Sequence, residues 1–245
     1  NQRKGRPLAN QKLRQAISLA INRKELTNKV LADGSLPASS FVSPGTAVDP
    51  TTGKDFSQET SFSVAPNIKQ ARSLLAAGKK EAGITGDLKL SIVGDDQDVT
   101  KNVAQYIQGQ LDSKLPGVKV SIANLPDKAQ QARRSEGKFD LAQWYWLADF
   151  GDPINYLGIL TSKNTMNPGK FSDATYDSLI EKAKTAANQT DYWKYLRQAE
   201  KRLMNQNGII PLYYVRESHL VNPKLSGVEY HVAGFPDYTR ATITK

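Results

Sequence analysis

The chain contains no cysteine and, in 245 residues, only two histidines, His219 and His231. Disulfides, thiolate metal sites and cysteine nucleophiles are therefore excluded. Two histidines near the C-terminus leave a zinc site short of ligands, so neither is assigned a catalytic or metal-binding role. A P-loop, a GxGxxG turn and a GxSxG elbow are all missing, which removes the usual phosphate-cradling and serine-nucleophile signatures. No apolar run approaches the roughly 18 residues that a bilayer-spanning helix needs. Residue 1 opens into the polar stretch NQRKGRPLAN without an apolar leader segment, which reads as a mature, truncated or cytosolic chain. No cofactor is implied.

What is present suits a folded α/β protein. Hydrophobic residues make up 39% of the chain, enough to bury a core as one large domain or two small ones. The formal charge of +9 would suit nucleic acid or an anionic surface. However, the basic residues run from Arg3 to Lys245 interleaved with acids, and no nucleic-acid-binding motif accompanies them, so nucleic acid is not expected as the partner.

Helical and strand periods alternate along the chain. Leu13, Ala16, Ile17 and Ala20 recur at helical spacing after Asn10, a cap candidate, and Asn22 with Glu25 has the form of a capping box opening a second helix. Residues 34–66 carry Pro37, Pro44 and Pro50 among Ser, Gly and Thr, and read as a long surface excursion. Asn67 caps a helix expected to end near Gly78. Leu88, Leu90 and Ile92 alternate, as do Val118, Val120 and Ile122, with a helical stretch between them; this is a βαβ unit with two parallel strands. A polar helix over 127–136, helices begun by Asp173 and carried by Leu196, Ala199 and Leu203, and a final apolar strand over 209–215 complete the pattern.

Residues 139–153, FDLAQWYWLADFGDP, carry the densest chemistry. The apolar run reads as a buried strand that places Asp149 at its carboxyl end, where open α/β sheets present ligands. Asp149 has two readings, a structural hydrogen-bonding group or an anchor for a ligand cation among aromatic side chains. Asp152 before Pro153 reads as a turn former or helix cap, and the two acids together as an acid/base pair only if their separation suits it.

This stretch resembles the W-x-A-D-Y-x-D/E-P segment of the oligopeptide-binding proteins of ABC importers, extracellular solute-binding proteins of family 5. Trp146, Ala148, Asp149, Phe150 and Pro153 fill the pattern, with Phe150 in place of the commoner tyrosine. Residues 7–45, 171–183 and 195–227 are similar, in the same order, to the family's helix pair and proline-rich loop and to its closing helices and strands.

The resemblance implies one lobe of a type II periplasmic-binding-protein fold, a mixed sheet flanked by helices. Residues 1–227 would form the ligand-binding lobe and residues 228–245 a tail returning toward an N-terminal lobe that the chain does not contain. The implied function is capture of extracellular oligopeptides for an ABC importer, not catalysis. Asp149 would take the peptide α-ammonium, the main chain of Trp146, Leu147 and Ala148 would pair with the peptide backbone, and Arg134 matches a position that some members use for the peptide carboxylate. Where such members carry a second arginine, this chain has Gln143. A non-peptide ligand within the same family and a carboxylate-based hydrolase stand as alternatives. The implied partners are the oligopeptide, the N-terminal lobe, and the permease and ATPase subunits. The implied location is extracellular or periplasmic, with membrane contact only through a lipid anchor on the parent protein. Apolar tail residues Val228, Tyr230, Val232 and Phe235 are expected to be exposed in such a lobe.

Overall fold

The structure, a computed structural model, describes residues 1–63, 65–231 and 235–244. Asn10 starts α1 (Gln11–Ala20) by accepting the Leu13 amide at 3.2 Å, and Leu13, Ala16, Ile17 and Ala20 form its buried stripe. Asn22 does the same for Glu25 at the head of α2 (Arg23–Glu25), which widens into a π-type turn over Leu26–Leu31. The second half of the expected capping box is absent, because Tyr106 Oη lies 3.0 Å from the Glu25 carboxylate and holds it away from the cap.

Residues 34–66 are not simply a surface excursion. After β1 (Leu36–Pro37) the chain dives inward, and Val42 and Phe56 are fully buried; Phe56 begins α3 (Phe56–Thr60). Next comes α4 (Ile68–Glu81), which runs past the expected stop at Gly78. Gly78 is there for close approach rather than termination: a Cβ on it would lie 2.8 Å from a Leu13 methyl of α1.

Strand β2 (Leu88–Asp95), α5 (Asp98–Lys114) and β3 (Val118–Leu125) form the expected βαβ unit, parallel and in register from Leu88 opposite Val118 to Asp95 opposite Leu125. The polar helix α6 (Asp127–Ser135) leads to β4 (Leu141–Ala142), giving a parallel sheet of order β3-β2-β4. Helices α7 (Pro153–Leu157), α8 (Ala174–Lys184) and α9 (Gln189–Asn205) follow. Of the apolar stretch over 209–215, only β5 (Tyr213–Tyr214) is strand, and it pairs antiparallel with β1. β6 (Leu225–Ser226) and β7 (Thr242–Ile243) form a small antiparallel ladder in the tail. The fold is α/β with helices flanking the sheet, as expected, although its parallel and antiparallel pairings lie in separate ladders.

Two hydrophobic clusters hold it together. One joins α1, α4 and α5 to the inner face of β2 and β3; the other joins α7, α8 and α9 to Val42, Phe56 and Ala148. Buried arginines span the seam. Arg14 of α1 donates to the carbonyls of Leu8, Ala9, Gln206 and Asn207, and Arg23 donates to Pro211 and Ser18. None of the helices is long and apolar enough to cross a membrane among the described residues.

Candidate functional site

Beyond Ala142 the expected buried strand does not continue. The Gln143 amide still donates to the Val93 carbonyl at 2.8 Å, but β2 ends at Asp95, so the residues that follow have no ladder partner and leave the sheet. Trp144, Tyr145, Leu147 and Phe150 are consequently exposed, not core, and Asp149 stands well beyond the end of β4. Among the described residues, the main-chain amides and carbonyls of residues 144–148 make no hydrogen bond within the protein. A surface segment whose main-chain polar groups are unpaired is open to pairing with another chain.

Asn155 shapes this segment. It is nearly buried on α7, and its Oδ1 accepts from Trp146 Nε1 at 2.9 Å and from the Asp149 amide at 3.2 Å. Its Nδ2 donates to Asp149 Oδ2 at 3.3 Å. The Asp149 carboxylate is exposed, and among the described residues no cation pairs with it. Ala148 is buried in the second cluster and pins the strip from beneath, while Trp146 packs half-buried against Trp144.

Asp152 caps α7. Its Oδ1 accepts from the Ile154 amide at 2.8 Å and from Tyr192 Oη at 2.6 Å, which accounts for its position before Pro153. The Tyr192 hydroxyl is pushed well above its ordinary value, first by burial and then by this carboxylate. With Asp152 committed to a cap, the acid/base pairing of the two aspartates loses its second member.

Arg134 lies on α6 with its guanidinium 5.0 Å over the Trp144 ring. Burial lowers its pKa, and the charges of Asp127 and Asp95 partly offset this. Its Nε and Nη1 are buried without a partner, as are the Oε1 atoms of Gln143 and Gln130. A Cβ on Gly94 would lie 3.2 Å from Gln143 Oε1, which places the Gln143 amide at the carboxyl end of β2. The sequence pattern singles out Asp149, Trp146, Leu147, Ala148 and Arg134 but misses Asn155. The available signal for Asn155 was a lone polar residue in an otherwise apolar helical turn, beside Ile154, Tyr156 and Leu157.

Residues 1–168 match the family model of bacterial extracellular solute-binding proteins, family 5. The chain belongs to this family. It is 32% identical over 232 residues to the dipeptide-binding protein DppE of Bacillus subtilis, covering 94% of this chain and 42% of that protein. It is also 32% identical to the periplasmic murein peptide-binding protein MppA of Escherichia coli, covering 93% of this chain and 41% of that protein. The substrate-binding domain of an oligopeptide ABC transporter from Bacillus anthracis superposes with a TM-score of 0.90 at 34% identity, over 100% of this chain and 48% of that one. Listeria monocytogenes OppA bound to peptide gives a TM-score of 0.86 at 27% identity, over 98% and 46%.

This family 5 chain therefore spans less than half the length of the curated relatives named here, and its fold is a partial lobe of the type II periplasmic-binding kind. Its matched relatives are solute-binding proteins, not enzymes.

Proposed function

We propose that this lobe captures oligopeptides through the main chain of residues 146–148 and holds the peptide α-ammonium on Asp149. The observation that carries the reading is the backbone of residues 144–148, which is unpaired and ends at an exposed carboxylate that no cation meets among the described residues. A peptide of arbitrary sequence offers only its backbone and its terminal charges as constant features, so a general receptor must read those. The ammonium–carboxylate contact contributes about 1.5–3 kcal/mol as a charge-assisted hydrogen bond. Exposed Trp144, Tyr145 and Phe150 add apolar and cation–π surface for side chains. Arg134, with buried donors that have no partner among the described residues and its guanidinium over Trp144, is the candidate for the peptide carboxylate.

In the intact protein the peptide would be clamped between this lobe and an N-terminal one, then passed to the permease and ATPase subunits of an ABC importer outside the cytoplasm. A lipid anchor on the parent would supply the membrane contact. The tail over residues 228–244 would reach toward the complementary lobe. Tyr230 and Phe235 stand exposed, at 44% and 86%, whereas Val228 is half-buried, against the expectation for it; Val232 lies outside the described residues.

Half a clamp binds weakly. If one lobe supplies half of about −8 kcal/mol, affinity falls from roughly micromolar to roughly millimolar. Titrating the isotope-labelled chain with tri-alanine is expected to move amide resonances of residues 144–152 with a dissociation constant in that millimolar range. N-acetyl tri-alanine and the Asp149→Ala variant are expected to abolish the shifts. Equal binding of the acetylated peptide would remove Asp149 as the ammonium anchor, and shifts confined to another face would remove the site.

A further inference from the structure

Glu200 of α9 is a fully buried acid that the proposed peptide site does not use. Its Oε1 accepts the backbone amides of Phe41 at 2.6 Å and Val42 at 3.0 Å. Its Oε2 lies 2.8 Å from Thr60 Oγ1, which in turn lies 3.0 Å from the Phe56 carbonyl. We propose that Glu200 and Thr60 form a proton-holding pair that keeps residues 41–60 docked on α9 in both charge states and docks them more firmly as the protein is acidified.

The hydroxyl of Thr60 is what makes two states possible. With Glu200 ionised, Thr60 donates to Oε2. With Glu200 protonated, Oε2–H donates to Thr60 Oγ1 and the threonine proton turns to the Phe56 carbonyl, while Oε1 keeps both amides. Proton uptake therefore rotates one hydroxyl and breaks no heavy-atom contact.

No cation neutralises the carboxylate. Among the described residues Glu200 has no ion-pair partner, and Arg197, on the preceding turn of α9, is held by Asp49 and by Glu59 of α3. The other titratable groups toward it are hydroxyls: Tyr176 of α8, bonded to the Leu157 carbonyl, and Tyr214 of β5, bonded to Ser40. Burial outweighs the three donors and lifts the Glu200 carboxyl to about 7.

The folded state holds a proton that the unfolded chain, with an ordinary glutamate value of about 4.3, has already released. Stability from this group is therefore fully present below about pH 4.3 and is lost as the pH rises toward about 7. The docked segment backs the peptide site: the Phe41 ring stacks edge-on against Tyr156 of α7 at 5.5 Å, and the Thr46 carbonyl lies 3.0 Å from where a Gly151 Cβ would sit. Acidification is thus expected to tighten the wall behind residues 148–151.

The test needs no ligand, so its outcome is independent of the peptide reading. Carbon-13 titration of the glutamate carboxyls should show one that titrates close to neutrality, and E200Q should lack it. After correction for intrinsic exchange, amide protection of Phe41 and Val42 should be about thirtyfold greater at about pH 5.5 than at about pH 8, and pH-independent in E200Q. Thr60→Val, which removes a donor that stabilises the ionised acid, should move that titration further up and enlarge the gain, and serves if E200Q does not fold. Glutamates that all titrate in the ordinary range, protection equal at the two pH values, or an unchanged gain in either variant would overturn the proposal.

Discussion

Replacing Arg14 with methionine is expected to destabilise the chain by about 3–5 kcal/mol, the usual cost of breaking a buried charged network from one side. The guanidinium makes four bonds of 2.8–2.9 Å, to the carbonyls of Leu8, Ala9, Gln206 and Asn207. The last two carbonyls belong to the turn that ends α9, where the helix dipole is negative and a cation is favoured. Burial lowers the Arg14 pKa to about 10, so the charge persists at neutral pH. Methionine fills similar volume but leaves four carbonyls without a donor and releases α1 from α9, the helices that anchor the two hydrophobic clusters. Urea unfolding monitored by circular dichroism measures the loss. Arg14→Lys is expected to recover only part of it, because an ammonium cannot reproduce the planar fork. A methionine variant within 1 kcal/mol of the parent would show that the seam is held by packing alone.

Asn155→Leu is expected to cost roughly 2 kcal/mol and to act on the site before it acts on the fold. The substitution keeps the volume while removing the acceptor of Trp146 Nε1 and of the Asp149 amide and the donor to the Asp149 carboxylate. The strip from Trp146 to Asp149 would then be held chiefly by Ala148. Amide exchange at Asp149 should speed up about tenfold while β2 and α5 keep their protection, since the lost bonds lie outside that cluster. Tri-alanine binding should weaken with it. An Asn155→Leu chain whose Asp149 amide exchanges as slowly as in the parent would show that the strip is ordered by something other than this side chain.

The local part of the fold was legible because its causes are local. Asn10, Asn22, Asn67 and Asp173 all cap the helices that the sequence pattern begins at them, each accepting the amide three residues on. The alternation in β2 and β3 appears directly as the parallel register of Leu88 with Val118. Failures concentrate where a segment's state depends on a distant partner. Residues 143–148 have the composition of a strand, but a strand needs a ladder, and the neighbouring strand ends at Asp95. The stretch over 209–215 is strand only where Leu36 and Pro37 meet it. The proline-rich excursion reads as polar surface, yet it is drawn inward by amides that satisfy Glu200, an acid placed among Leu196, Ala199 and Leu203 on the buried face of α9.

The sequence by itself determined the family, the α/β class, the helix starts, the central βαβ unit and the residues at which to look for a ligand. These rest on period, cap chemistry and motif, which a chain carries whatever its environment. Only the tertiary structure decided that the aromatic run is an exposed strip with unpaired main chain, that Asp152 is a cap, and that Asn155 and Glu200 hold the surrounding walls. Those outcomes depend on which hydrogen-bonding groups remain unsatisfied once distant segments have met, and no local stretch of sequence contains that sum.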